Sequence, residues 1–375
     1  MAVIHLVIAD KDRAYLDSVV DFIYSKYNNR FYVQAFSAEE TFNDFFNKTD
    51  KIDILLMSPD FYSDELDLGK VVAPIVLSAG ILTKDIKNCE IISKYQMGDK
   101  LIGNILNIFS EKSNCEFITG DGKKKTRLIT FYSPCGGAGT STLAAGVSAK
   151  CVQNGWNAFY LNFERFPTTT AFFDAYGSGE NLSNILFFLK ENNKNLTLKI
   201  EGSRSIDSST GVHYFLPPEN VFDLDELTSG EIMRLIGQFR AMESYDVIIA
   251  DIGAQLNEVC ISLLECSDLV FCVLPYDTTS KIKLATLQKA FEILSKRKGL
   301  NFMDKVELIL NKCLSFGHPD VENLNFNGKN ASIRIPYMKG LDASYGIEHI
   351  IGDSTPFGPA VRQIIGILQG STGDC

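Results

Sequence analysis
The sequence predicts an α/β protein made of two doubly wound domains, each with a parallel sheet. Three observations carry that expectation. Short apolar runs alternate with helically spaced ones from Val3 to Phe109, a polar stretch interrupts them from Glu111 to Thr126, and the alternation restarts at Arg127. Parallel strands covered on both faces are near-continuously apolar and need a crossover between them, which is the pattern of both halves. The length of 375 residues agrees, because single cores stop growing at about 250–300 residues. The expected division is a first domain at 1–110, a linker at 111–126 and a second domain at 127–375.

In the first domain Val3–Ile8 is a strand, and Leu16, Val19, Val20, Ile23 and Tyr27 give the next helix one apolar face. Phe31–Phe36 is the second strand. Ser37 and Glu40 read as a capping box opening a helix that carries Phe42, Phe45 and Phe46. Asp53–Met57, Pro74–Leu77 and Glu90–Ile92 are further strands, and a helix with Leu101, Ile102, Ile105, Leu106 and Phe109 closes the domain as the last of five strand–helix units. The linker contains Gly120-Asp121-Gly122 and the run Lys123-Lys124-Lys125, a solvated basic stretch. In the second domain the strands are Leu128–Tyr132, Ala158–Leu161, Val212–Leu216, Val247–Ala250, Leu269–Val273 and Val306–Leu310. Ser280–Lys296 is a long helix, and the polar, irregular stretch Ser178–Gly211 reads as a surface excursion.

Composition narrows the function. A net charge of −10 argues against non-specific nucleic-acid binding, which needs clustered lysine and arginine. The nine cysteines show no paired spacing, and Cys260, Cys266 and Cys272 sit in apolar sequence as buried thiols of a reducing cytoplasm. His5, His213, His318 and His349 are scattered, so no thiolate–imidazole metal site is expected. Ile4–Ile8 ending in Asp10 reads as a strand rather than a signal peptide, and no apolar run reaches membrane-spanning length.

The chemistry concentrates in Ser133-Pro134-Cys135-Gly136-Gly137-Ala138-Gly139-Thr140-Ser141-Thr142, between a strand and the helical run Leu143-Ala144-Ala145. Strand, glycine-rich turn and helix N-terminus form a phosphate cradle, because successive backbone N–H groups and the helix dipole face one anion. A P-loop ordinarily carries a lysine before its Ser/Thr, reaching the terminal phosphates. Thr140 stands there instead. Downstream, Tyr245–Gly253 is a buried strand ending in Asp251, placed as a Walker B acid that steers Mg²⁺ together with the hydroxyl of Ser141.

The first domain resembles the receiver domain of response regulators, a flavodoxin-like fold, over nearly all of its length. The resemblance puts Asp10 and Asp12 at the Mg²⁺-binding acids, Ser78 and Lys94 at the switch hydroxyl and lysine, and Ser58 at the phosphoacceptor. A serine without an adjacent base replaces neither the nucleophile nor the metal ligand. Asp10 and Asp12 are then read as ordinary loop acids at a helix N-terminus, with Asp53 and Asp60 as weak substitutes for the acceptor, and the domain as a protein-binding platform.

Residues 127–370 resemble the ParA/MinD family of deviant-Walker ATPases, whose loop reads Lys-Gly-Gly-x-Gly-Lys-[Thr/Ser]-Thr. This chain keeps Gly136, Gly137 and Gly139 and the hydroxyls of Ser141 and Thr142, with Cys135 and Thr140 in place of the two lysines. The resemblance implies ATP and Mg²⁺ as ligands and an ATP-bound homodimer. It also implies Asn311 as the adenine-recognising residue, Pro336 and Tyr337 as the loop lining the base, and Glu164 as the group orienting the attacking water, with Asn162 replacing the family's first acid. Glu164 reads equally as a plain surface acid. Cys135, near a helix N-terminus, is either a thiol of lowered pKa or a small space-filler, the second being preferred.

A degenerate receiver domain joined to a MinD-like domain resembles the TadZ/CpaE proteins of tight-adherence (Tad) pilus assembly. That resemblance implies a cytoplasmic localisation factor that binds ATP, dimerises and recruits other pilus assembly proteins, without nucleic acid or direct membrane insertion. ATP would act as a clamp, since one lost transition-state donor costs about 10²–10³ in rate. A partition or division-positioning ATPase and a scaffold with an empty nucleotide site are the alternatives. The terminal helix, with Arg362 as its basic residue and Asp374 in its tail, weighs against a MinD-type membrane anchor. A phosphodonor assay is expected to leave no covalent label on the first domain; a label there contradicts the Ser58 reading.

Overall fold
Five strands make the first sheet: β1 (Ile4–Ala9), β2 (Phe31–Phe36), β3 (Ile52–Met57), β4 (Val71–Ser78) and β5 (Glu90–Ser93). Their order is β2-β1-β3-β4-β5, every pair is parallel, and helices α1 (Arg13–Tyr27), α2 (Glu39–Lys48) and α3 (Gly98–Lys112) complete the layers. The computed structural model describes residues 3–80, 85–113, 125–177, 180–191, 195–299, 301–314, 324–339 and 346–370. Most of the expected linker, Lys123, Lys124, His318 and Asp374 lie outside them. No helix among the described residues is long and apolar enough to cross a membrane.

Alternation along β1 sorts its side chains onto two faces. Ile4, Leu6 and Ile8 pack with Leu16, Ile23, Ile102 and Phe109 of α1 and α3, whereas Val7 and Ala9 pack with Phe42 and Phe46 of α2. Each fully buried aliphatic side chain of this kind contributes about 1.5–3 kcal/mol. Two details depart from expectation. The N-cap of α2 is Ala38, without a side-chain cap, and Ser37 accepts a hydrogen bond from Arg13 Nε at 3.3 Å instead of forming a box with Glu40. Among the described residues no α-helix follows β3 or β4. The segment after β3 begins Ser58-Pro59, lacks helical apolar spacing and holds only a 3-10 turn at Leu68–Lys70.

The second sheet runs through β6 (Arg127–Tyr132), β7 (Ala158–Asn162), β8 (Ala175–Gly177), β9 (Ser205–Asp207), β10 (His213–Tyr214), β11 (Val247–Asp251), β12 (Leu269–Pro275) and β13 (Val306–Cys313). A two-stranded hairpin of β14 (Asn325–Phe326) and β15 (Lys329–Asn330) precedes the edge strand β16 (Ile333–Pro336). The sheet order is β16-β13-β12-β6-β11-β7-β10-β9-β8, parallel from β16 to β10. Around it lie α4 (Thr140–Gln153), α5 (Leu182–Lys190), α7 (Ser229–Met242), α8 (Glu258–Cys266), α9 (Thr278–Lys298), α10 (Ile347–Ile350) and α11 (Phe357–Gly370). The numbering leaves α6 (Leu196–Ser203), which belongs elsewhere.

The described residues divide into two compact units, and residues 195–204 join 3–113 in the first, although they fall within the span expected to form the second. Ser178–Gly211 is thus no plain surface excursion: Leu196, Leu198 and Ile200 of α6 are fully buried, and Leu198 enters the core formed by α1, α3 and the sheet. Its polar residues are what misled the sequence reading, for they are used internally. Ser203 Oγ donates to Asn107 Oδ1 at 3.1 Å, Lys199 meets Glu111 at 2.9 Å, Arg30 pairs with Glu201, and Asn195 Nδ2 donates to the Ser110 and Ser113 carbonyls. The helices touch so closely that a Cβ on Gly202 would stand 2.4 Å from Asn107 Oδ1. Leu198→Ala is expected to lower the first unit's stability by about 2–5 kcal/mol in denaturant unfolding, the usual cost of emptying a core leucine site; an unchanged midpoint contradicts this placement.

Candidate functional site
In the second unit, β6, β7, β11 and β13 all end at one edge of the sheet, where a parallel α/β fold gathers its loops. The turn from Ser133 to Gly139 leaves β6 and feeds α4 at Thr140. Ser133 Oγ closes its start, accepting from Cys135 N at 3.0 Å and donating to Cys135 O at 2.9 Å. Gly139, at φ 85°, is the left-handed N-cap of α4, and a Cβ there would also stand 2.4 Å from Asn311 Nδ2. Both conformation and space therefore demand glycine.

A cavity of about 590 Å³ opens over this turn. Its lining brings together Cys135, Gly136, Gly137, Ala138, Gly139, Thr140, Ser141, Thr142, Glu164, Asn311, Pro336 and Tyr337, residues chosen from four separate stretches of sequence. Tyr337 is 54% exposed at the rim. Asn311 is buried, and both ends of its amide are engaged: Nδ2 donates to Ala138 O at 2.7 Å, and Oδ1 accepts from Lys312 N at 2.7 Å. It braces the turn in this state. The Cys135 thiol, 3.8 Å from Ser280 Oγ, is pushed up by burial, so the alternative of a lowered pKa is not met.

Asp251 lies outside that lining. It ends β11 fully buried, accepting from Tyr160 Oη on Oδ2 at 2.7 Å. Oδ1 has no hydrogen bond of proper geometry among the described residues. Burial raises its carboxyl to about 7, and the negative charge of Glu164 adds to the rise, while Tyr160 and Ser141 offset part of it. Glu164 is itself raised by burial, partly offset by Ser141, Asn162 and Thr168. A chain of hydrogen bonds runs from Asp251 to the backbone of Glu164: Asn162 Oδ1 accepts from Glu164 N at 2.7 Å, and Asn162 Nδ2 donates to Tyr160 Oη at 3.2 Å. A buried carboxyl with an unsatisfied oxygen and a half-buried one, both near a serine hydroxyl, offer oxygen donors of the kind a divalent cation takes.

Sequence reasoning missed Tyr160, Thr168 and Lys312. Tyr160 looked like one more apolar strand residue, and its hydroxyl gains meaning only from β11 beside β7. Lys312 follows Asn311, yet no motif places a lysine there; its Nζ donates to Gly137 O at 2.7 Å.

In the first unit, Lys94 Nζ lies 2.8 Å from Asp10 Oδ2 and 3.7 Å from Asp12 Oδ2. Asp12 also caps α1 through Tyr15 N, as a loop acid at a helix N-terminus would. Ser58 is buried at 5% exposure with its Oγ unpartnered among the described residues. Ser78 Oγ is turned to Gly80 O at 2.5 Å, and Asp53 accepts from His5 N at 2.9 Å. Among the described residues, the side-chain ion pairs of these positions join Lys94, Asp10 and Asp12, and Ser58 N donates to Ala9 O at 2.8 Å beside them.

These features define a class: a receiver-like domain followed by an α/β domain with a glycine-rich, P-loop-like turn. A ParA family ATPase from Chlorobium tepidum TLS matches with a TM-score of 0.51 at 18% identity, over 63% of this chain and 96% of that one. A cobyrinic acid a,c-diamide synthase from Mycobacterium smegmatis with bound ATP analog and magnesium gives 0.49 at 12%, over 66% and 96%. The MinC:MinD cell division complex of Aquifex aeolicus gives 0.46 at 16%, over 64% and 96%. At such identity the first of these shows a shared fold. Residues 2–110 match the family described as TadZ-like, receiver domain. No curated protein sequence matches the chain.

Because the folded protein favours the protonated Asp251, this group's contribution to stability is present below the ordinary carboxylate value of 3.8 and is lost as pH rises to about 7. Nucleotide-free protein is expected to lose melting temperature over that window more steeply than Asp251→Asn, which has no carboxyl to ionise. Parallel pH profiles of the two proteins contradict the assignment.

Proposed function
We propose that the chain is a localisation and scaffold protein of Tad pilus assembly that binds ATP with Mg²⁺ and dimerises around it, with hydrolysis slow or absent. One observation carries this reading: the turn keeps its glycine geometry and its cavity while both lysine positions hold Cys135 and Thr140. Backbone N–H groups from Gly136 to Thr142 and the N-terminus of α4 would hold the phosphates. Ser141 would bind Mg²⁺ and Asp251 would steer it, the cation neutralising phosphate charge when bound. Pro336 and Tyr337 line the cavity where a base can stack, and Asn311 would have to give up its bond to Ala138 to read adenine edges. Glu164 is raised by burial beside Ser141 and would orient water only in its ionised form.

The chain works in the cytoplasm in this reading, and the receiver-like unit recruits other pilus assembly proteins. The Lys94–Asp10 pair supports it: the ammonium that would meet a phosphoryl group is already neutralised, and the acceptor position carries Ser58. The net charge of −10 goes with protein partners rather than nucleic acid.

Freshly purified protein, denatured, is expected to release ATP. Added Mg–ATP should raise both the melting temperature and the dimer fraction, with turnover near background, and Ser141→Ala and Asp251→Ala should each blunt the response. No ATP effect in any of these assays overturns the switch in favour of an empty scaffold, and brisk hydrolysis overturns the slow-turnover half.

A further inference from the structure
We propose that Lys312 supplies, from the end of β13, the phosphate-binding cation that the turn itself lacks. The proposal rests on the nucleotide reading above and deepens it. Among the described residues lining the cavity, Lys312 is the one cationic side chain. Its Nζ donates to Gly137 O at 2.7 Å, in the middle of the glycine-rich turn. An ammonium has three donors, so this carbonyl occupies one and leaves the charge at the mouth of the cradle.

The backbone is shaped to deliver it there. Pairing of β13 with β16 loses register between Leu310 and Cys313, a bulge that holds Asn311 and Lys312. Ladder bonds persist around it, from Tyr276 N to Asn311 O and from Tyr337 N to Cys313 O, each 2.8 Å. Lys312 itself sits at φ 60°, left-handed backbone that a lysine seldom adopts and a glycine would adopt freely. Bulges re-aim side chains beside functional sites, and non-glycine residues hold such a conformation only where their surroundings enforce it. Here Asn311 and Lys312 take consecutive carbonyls of the turn, Ala138 O and Gly137 O. Lys283 acts on the Cys135 thiol from nearby but is not part of the cavity lining, and it serves as the control.

The test compares ATP, ADP and adenosine affinities of the full chain with Mg²⁺. Lys312→Met should weaken ATP binding by about ten- to hundredfold, the usual worth of a hydrogen bond to a charged group. ADP should suffer less and adenosine not at all. Lys312→Arg should keep most of the affinity, and adding Thr140→Lys to Lys312→Met should restore it by returning a cation to the ordinary loop position. Lys283→Met should bind as the unaltered protein does. Equal losses for all three ligands, with a lowered melting temperature of the nucleotide-free protein and no rescue, would make Lys312 a brace and overturn the proposal. Unchanged ATP affinity in Lys312→Met, or a loss in Lys283→Met instead, overturns it while leaving nucleotide binding intact. If the unaltered protein binds no ATP, the nucleotide reading falls first and this inference with it.

Discussion
The turn between β6 and α4 can cradle an anion only if its backbone is held in one unusual conformation, and that constraint organises the second unit. Left-handed Gly137 and Gly139 make the conformation accessible, but accessibility does not hold it. The hold comes from the end of β13, two strands away in the sheet, where buried Asn311 donates to the Ala138 carbonyl. A loop tied by its carbonyls leaves its amide groups to whatever binds in the cavity. Preorganisation of that kind favours binding without adding a group that acts on the transition state.

Charge is arranged in the same restrained manner. Asp251 and Glu164 are both raised by burial, and a hydrogen-bonded path through Tyr160 and Asn162 ties Asp251 to the backbone of Glu164. Two carboxyls so placed resist ionising together until a cation joins them. A metal arriving with a nucleotide would relieve an existing electrostatic cost, which links ligand binding to the stability of this edge of the sheet. In the first unit the equivalent charge is already balanced internally, because Lys94 lies against Asp10 and no carboxylate stands at Ser58.

Much of this was legible in the primary structure because it depends on local pattern. Short, nearly continuous apolar runs, such as Ile4 to Ala9, specify strands buried on both faces wherever they end up. The glycine-rich turn, the acid ending β11 and the residues Asn311, Pro336 and Tyr337 were all nominated from sequence, and the fold lines one cavity with them except for Asp251 beside it. Failures came where neighbours decide. The capping box went to Ala38 with no cap because Ser37 faces Arg13, and α6 was mistaken for surface because its polar residues find partners on α3.

The sequence by itself determined the fold class, the two-unit plan and the absence of lysine at 135 and 140. These are properties of residue type and spacing, which survive any arrangement of the rest. Tertiary structure alone decided that residues 195–204 complete the first unit, that a tyrosine hydroxyl reaches Asp251, and that the ammonium of Lys312 sits on the glycine-rich turn. Each of those joins residues from 91 to 175 positions apart or a helix to a distant core, and separation of that size is set by strand order and bulge geometry rather than by any local preference.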